Sequence, residues 1–284
     1  MVKTIPVAKA LQTVNAVSLL GRLDMNICSY LSLASKDQTM FETTSGHSEW
    51  TDFLLRVGDG TANNADGRVV LPPEVIESGD LITSVFGEKI CSRSDMSEAA
   101  ILAPKNVDVA NLNEQVLKRL DGLVKVYYSR DEICDDTNSK FITTEFLNCV
   151  QTTSLPPHKL SLKKGAVVML LRNLDVTKGL CYGTRLIADQ FGVRTLQCRF
   201  TVGPRKGEPV LIPRIDCMDD QNLAFKLKRT QFPLRLAFAL SVNKAQGQFF
   251  KKIGLWLEDE VFSHGQLSVA LSRVRSKEGL HVKM

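Results

Sequence analysis

The chain has 284 residues, 44% of them hydrophobic and 24% charged, with a formal net charge of +5. That length supports one large domain or two smaller ones with cores of their own, and the composition is ordinary for a soluble globular protein. Seven cysteines without a C-x-x-C pair argue against a disulfide framework or zinc site and for a reducing compartment; the longest apolar run, Ala166–Leu171, is far short of the roughly 20 residues that span a bilayer.

The first 23 residues carry Lys3, Lys9 and Arg22 and no acid. An amphipathic helix with Val7, Leu11, Val14 and Val17 on one face is predicted there, with a mitochondrial presequence as the alternative. Ser48 is placed to cap a short helix carrying Trp50, Phe53, Leu54 and Val57, which Gly58–Asp59–Gly60 ends. Val69–Leu71, running into Pro72–Pro73, reads as an extended edge. Ala99–Ala103 is a buried strand closed by Pro104. Asn106 is placed to cap a helix with Val109, Leu112, Val116, Leu117 and Leu120 at helical spacing, and Leu123–Tyr128 follows as a strand. This alternation predicts a parallel α/β layer.

From about Leu160 the texture changes. Lys163–Lys164–Gly165 reads as a hairpin turn before Ala166–Leu171, and strands are predicted over Gly183–Ile187, Val193–Val202 and Val210–Ile215. Short strands at about 10-residue spacing, with no helix among them, predict a small barrel or sheet. Residues 158–232 hold 14 Lys or Arg and 6 Asp or Glu, a net of +8, while the rest of the chain is at −3. Such a basic segment is either a nucleic-acid surface or a solvated lysine-rich face. The α/β texture returns at Leu234 with one buried strand leading into Ser241–Val242–Asn243–Lys244–Ala245–Gln246–Gly247–Gln248. A strand at Ile253–Leu257, a helix over Gln266–Val274 bearing Ser272 and Arg273, and a terminal strand Leu280–Val282 follow. A strand end that breaks into Asn, Lys, Gln and Gly, and a helix that delivers an arginine, are the parts a nucleotide-driven machine uses.

These two segments resemble motifs five and six of the Pif-one and Helitron-type DNA helicases, close to F-A-[ML]-T-[IV]-N-K-[SA]-Q-G-Q and V-A-L-S-R-V. The likeness extends over most of the chain. It includes Trp50 through Gly60, Ile101–Asn106 with Asn111–Asn113, Tyr127–Asp131, Pro157–Leu160, Leu170–Leu174, Gly179–Leu186, Ile212–Ile215 and Lys228–Leu234. Tyr182 stands where the family usually has Asn, Ser268 where it has Tyr, and Ser241 where it has Thr. The resemblance implies an α/β fold: a RecA-like parallel-sheet domain, the second motor domain, with an inserted small all-β barrel of Src-homology-three type. It divides the chain into an N-terminal segment over 1–44, the motor domain over 45–157 plus 233–284, and a basic barrel over 158–232.

By the same resemblance, Arg273 reaches the γ-phosphate as the catalytic arginine. Gln246 and Gly247 approach the nucleotide, and Ser241, Asn243, Lys244 and Arg185 contact single-stranded DNA. The bland alternatives are a helix-end salt bridge for Arg273, a plain turn for Gln246 and Gly247, and a solvated lysine for Lys244. The family uses ATP and Mg²⁺, unwinds DNA in the 5′-to-3′ direction, and serves DNA repair, recombination and telomere maintenance. No G-x-x-x-x-G-K-[ST] occurs in these 284 residues, nor do the acidic motifs of a first RecA-like domain, and Leu33–Met40 lacks the arginine of the family's L-x-x-N-M-R. The expectation is therefore a C-terminal half that is inactive alone, a monomer that binds single strands, lacks its first RecA-like domain, holds no nucleotide tightly and touches no membrane. Its expected location is the nucleus, with the mitochondrion as alternative. A non-enzymatic single-strand-binding module and an inert transposon-derived remnant remain as alternatives. Asp131–Glu132 and Glu258–Asp259–Glu260 mimic a Walker B strand end but read as loop acids. His158 and His264, with no Cys or His at metal spacing, read as structural.

Overall fold

The computed structural model describes residues 4–6, 45–64, 68–88, 90, 94–134, 142–219, 223, 225–258 and 266–284. The helix predicted over 7–17, the segment 33–40, His264, Asp259 and Glu260 lie outside them. In chain order the elements are β1 (Thr4–Pro6), α1 (Ser45–Gly58), β2 (Arg68–Val70), α2 (Leu81–Phe86), β3 (Ala99–Ala103), α3 (Asn106–Arg119), β4 (Lys125–Tyr128), β5 (Arg130–Ile133) and α4 (Thr144–Cys149). They continue with β6 (Lys159–Leu162), β7 (Val167–Leu170), β8 (Arg185–Phe191), β9 (Thr195–Phe200), β10 (Pro209–Pro213), β11 (Ile215–Asp219), β12 (Leu227–Gln231) and β13 (Leu234–Leu236). The last are β14 (Ala239–Ser241), β15 (Lys252–Trp256), α5 (Gln266–Leu271) and β16 (Leu280–Lys283). No helix among the described residues is long and apolar enough to cross a membrane.

A four-stranded parallel sheet in the order β14-β3-β15-β16 forms one half. All five residues of β3 are buried, as a central strand covered on both faces requires. The helix α3 packs on β14 and β3. It turns Leu112, Val116 and Leu117 into the core. Its cap position is Lys105, not Asn106, and no side chain caps it. The helix α1 begins at Ser45, so Ser48 lies within it and does not start it. The helix α2 lies against β15, where Gly254 makes the approach possible: a Cβ there would meet Val85 at 2.7 Å.

The other half is antiparallel. Five strands run β10-β9-β8-β7-β13, three run β11-β12-β5, and β4 pairs with β6. The strand expected to continue the parallel layer, β4, therefore leaves it, and Leu123 just before it is 93% exposed. The run predicted as one strand over Val210–Ile215 breaks at Arg214 into β10 and β11, which join different sheets. The apolar β7 lies between two cores. Val167 and Met169 pack with the parallel sheet, and Val168 and Leu170 with the antiparallel one. Alternation along a strand explains why that segment is apolar throughout.

The segment Leu234–Leu240, apolar apart from Arg235, is two strands. Ala237 still donates to the Val167 carbonyl of β7 at 2.9 Å, while the Phe238 carbonyl already accepts from Ile101 of β3 at 2.9 Å. The chain thus passes from one sheet to the other between adjacent residues. Asn113 of α3 fixes the passage: its Oδ1 accepts from Phe238 (2.9 Å) and Ala239 (3.0 Å), and its Nδ2 donates to the Ala239 carbonyl at 2.9 Å. A buried amide meeting three backbone groups specifies one conformation, because any other leaves polar groups unpaired.

Candidate functional site

Beyond β14 the backbone does not enter an α-helix. It makes a single 3₁₀ turn, Val242–Ala245, that buries Val242 and Ala245 and leaves Asn243 exposed. Gln246 and Gly247 follow as an exposed turn, with Gly247 at φ 79°, the left-handed region that glycine enters without strain. Ser241 ends β14 half-buried, beside Ala103 at the end of β3. Polar groups at the carboxyl ends of parallel strands form the usual ligand edge of such sheets.

The structure brings the distant arginine to this turn. The helix α5 stops at Leu271, so Arg273 lies just past it and not within it. Its Nε donates to the Val269 carbonyl at 2.9 Å, its Nη2 to Ser272 Oγ at 2.8 Å, and its Nη1 reaches the Gln248 carbonyl at 3.5 Å. The guanidinium stacks over Phe249 at 5.3 Å, and Phe250 donates to the Arg273 carbonyl at 2.9 Å. Burial lowers its pKa from the ordinary arginine value. Gln266, at the start of α5, approaches Asn243 Oδ1 at 3.4 Å. Sequence segments more than twenty residues apart thereby share one surface.

Lys244 is half-buried and, among the described residues, has no carboxylate partner. Burial first and then the nearby Arg235 lower its pKa. Arg235 is held by the Thr152 and Leu155 carbonyls, each at 3.0 Å. Two cations kept close in partial burial repel one another, and an anion between them relieves that repulsion. Arg235, Gln248 and Phe249 are the site residues that sequence reasoning missed. Gln248 lies within a motif segment and Arg235 and Phe249 one residue beyond such segments, but only the fold shows which of these side chains meet.

Arg185 does not belong to this surface. It is 5% exposed and donates to the carbonyls of Ser97 (2.9 Å), Ala99 (3.0 Å) and Ala237 (2.9 Å), with Phe250 beneath it at 4.9 Å. Burial alone brings its pKa down to about 9. The expected DNA contact is thus corrected: this arginine faces inward and ties β8 to the parallel sheet. Asp131 is corrected too. It is not a loop acid but a residue of β5 whose fully buried carboxylate pairs with Arg229, itself with a side chain 1% exposed. His158 Nδ1 sits 2.8 Å from Ser129 Oγ, a structural contact. Of the aromatics of the basic segment, Phe200 is buried under Arg205, Phe191 is half-buried, and Tyr182 is 53% exposed.

Residues 145–191 match the family described as DNA helicase Pif1, 2B domain. The ATP-dependent DNA helicase PIF1 of Danio rerio is 35% identical over 201 residues, covering 68% of this chain and 28% of the relative. The human PIF1 helicase is 35% identical over 179 residues, covering 62% and 25%. Among solved structures, the Candida albicans Pif1 helicase aligns with a TM-score of 0.57 at 24% identity, over 83% of this chain and 53% of that one. A Bacteroides Pif1 bound to ssDNA aligns with a TM-score of 0.57 at 22% identity, over 83% and 48%. The fold, a parallel sheet joined to antiparallel sheets, is that of the Pif1 helicase structures. The chain is similar to the Pif1-type DNA helicases, the family its motifs resemble. It spans about a quarter of the length of the curated relatives it matches.

Proposed function

We propose that these 284 residues form the second motor half of a Pif1-type, ATP-dependent 5′-to-3′ DNA helicase. The antiparallel unit corresponds to the Src-homology-three-type insertion, and the 241–248 turn holds single-stranded DNA. The observation that carries this reading is the meeting of Arg273 with the turn at Gln248. It joins an arginine suited to a γ-phosphate with polar groups suited to a phosphate backbone. When ATP binds between two such halves, this half contributes Gln246, Gly247 and Arg273; an arginine of that kind is worth ~10³–10⁵ in turnover. The resemblance to the family assigns Mg²⁺ to the opposite half. The similarity to ATP-dependent DNA helicases and to a Bacteroides Pif1 bound to ssDNA supports the same substrates.

The test is ATP turnover by the purified 284-residue chain with saturating oligo-dT. No turnover above the no-protein control is expected. Turnover that Arg273→Ala abolishes would show that this chain itself grips the triphosphate and would overturn the half-motor reading.

A further inference from the structure

The side-chain amide of Gln248 reaches two carbonyls, that of Lys244 at 3.3 Å and that of Gly183 at 3.5 Å. One amide therefore joins the 241–248 turn to the 179–184 loop, and the residue before Gly183 is the exposed Tyr182. The loop is internally braced. Tyr182 N donates to Asn173 Oδ1 at 2.7 Å, Cys181 N to Thr184 Oγ1 at 3.3 Å, and Thr184 Oγ1 to the Gly179 carbonyl at 2.9 Å. Gly179 and Gly183 stand at φ 74° and 86°, which fixes the bends on either side. Arg235 lies within electrostatic range of both the Tyr182 hydroxyl and Lys244.

We propose that Tyr182 is a base-stacking platform, so that a nucleotide whose phosphate lies at Lys244 and Arg235 places its base on the Tyr182 ring. This rests on the reading of the 241–248 turn as a single-strand contact and adds to it a subsite for the base. An exposed aromatic on a braced loop that Gln248 joins to the Lys244 turn, near two cations with no carboxylate partner among the described residues, suits one phosphate and one π-face, the two parts that single-strand binding combines.

The test is equilibrium binding of the full chain to a dT10 oligomer and to a sugar–phosphate oligomer of equal length without bases, for wild type, Tyr182→Ala, Tyr182→Phe and Lys244→Ala. The side chain is exposed, so the substitutions leave the fold intact. Tyr182→Ala is expected to weaken dT10 binding about tenfold and to leave the abasic oligomer unchanged, with Tyr182→Phe at wild-type affinity. Lys244→Ala is expected to weaken both oligomers. If Tyr182→Ala binds dT10 as wild type does while Lys244→Ala weakens it, the platform is refuted and the single-strand reading stands. If wild type binds neither oligomer, both fall.

Discussion

The carboxylate of Asp131 takes both Nε (2.9 Å) and Nη2 (2.6 Å) of Arg229, with neither side chain more than 1% exposed. The remaining donors of Arg229 go to the carbonyls of Leu147, Val150 and Pro156, so this pair organises β5, β12 and the chain around α4. Removing one partner leaves a buried charge without compensation, which costs ~3–5 kcal/mol. Asp131→Leu and Arg229→Met should each lower the unfolding free energy measured in urea by that much. The double change Asp131→Leu with Arg229→Met should cost clearly less than the two single costs together. Additive costs would show that the two side chains do not act as a pair.

Arg185 gives the second prediction. Its guanidinium satisfies three carbonyls from two segments of the parallel half. Arg185→Met leaves those carbonyls buried and should cost at least about 2 kcal/mol of stability. Arg185→Lys should not restore it, since one ammonium cannot reproduce the planar fork. Lysine keeps the charge, so the neutral variant is the test: the salt dependence of single-strand binding by folded Arg185→Met protein should match wild type. A flatter slope would return Arg185 to the DNA surface.

The third concerns acid. Asp80 caps α2 through Thr83 and pairs with Arg119. The Arg119 bond first, and the Thr83 bonds after it, hold its pKa down to about 2 from 3.8. A depressed folded-state pKa means a contribution fully present above about pH 4 and lost as pH falls towards 2. Asp80→Asn keeps the cap but removes the ion pair with the half-exposed Arg119, and should cost up to about 1 kcal/mol at neutral pH. Wild type and variant should converge in stability across that acid window. A difference that persists below pH 2 would place the effect in packing.

Much of this could be read from the sequence where periodicity and motif agree. The strand Ala99–Ala103, the apolar face of α3 and the terminal strands are of this kind, because each is decided by its own apolar residues. What could not be read depends on partners remote in sequence. Leu234–Leu240 looks like one strand because all but Arg235 are apolar; only pairing with β7 and then β3 divides it. The same holds for β4, whose residues suit any sheet but whose register is with β6. Charged residues misled for a related reason. Arg185 and Asp131 were read as surface groups on prior expectation, and both are held inside by partners 50 or more residues away.

The central claim is that Lys244 contacts a phosphate of single-stranded DNA. The most direct measurement is the binding constant for oligo-dT across a salt series, for wild type, Lys244→Ala and the exposed control Lys178→Ala. Each phosphate neutralised contributes about −0.7 to the slope of log K against log salt on single strands. Lys244→Ala is expected to weaken binding and to make the slope shallower by about 0.7, with Lys178→Ala unchanged. Identical slopes and affinities for Lys244→Ala and wild type would contradict the claim.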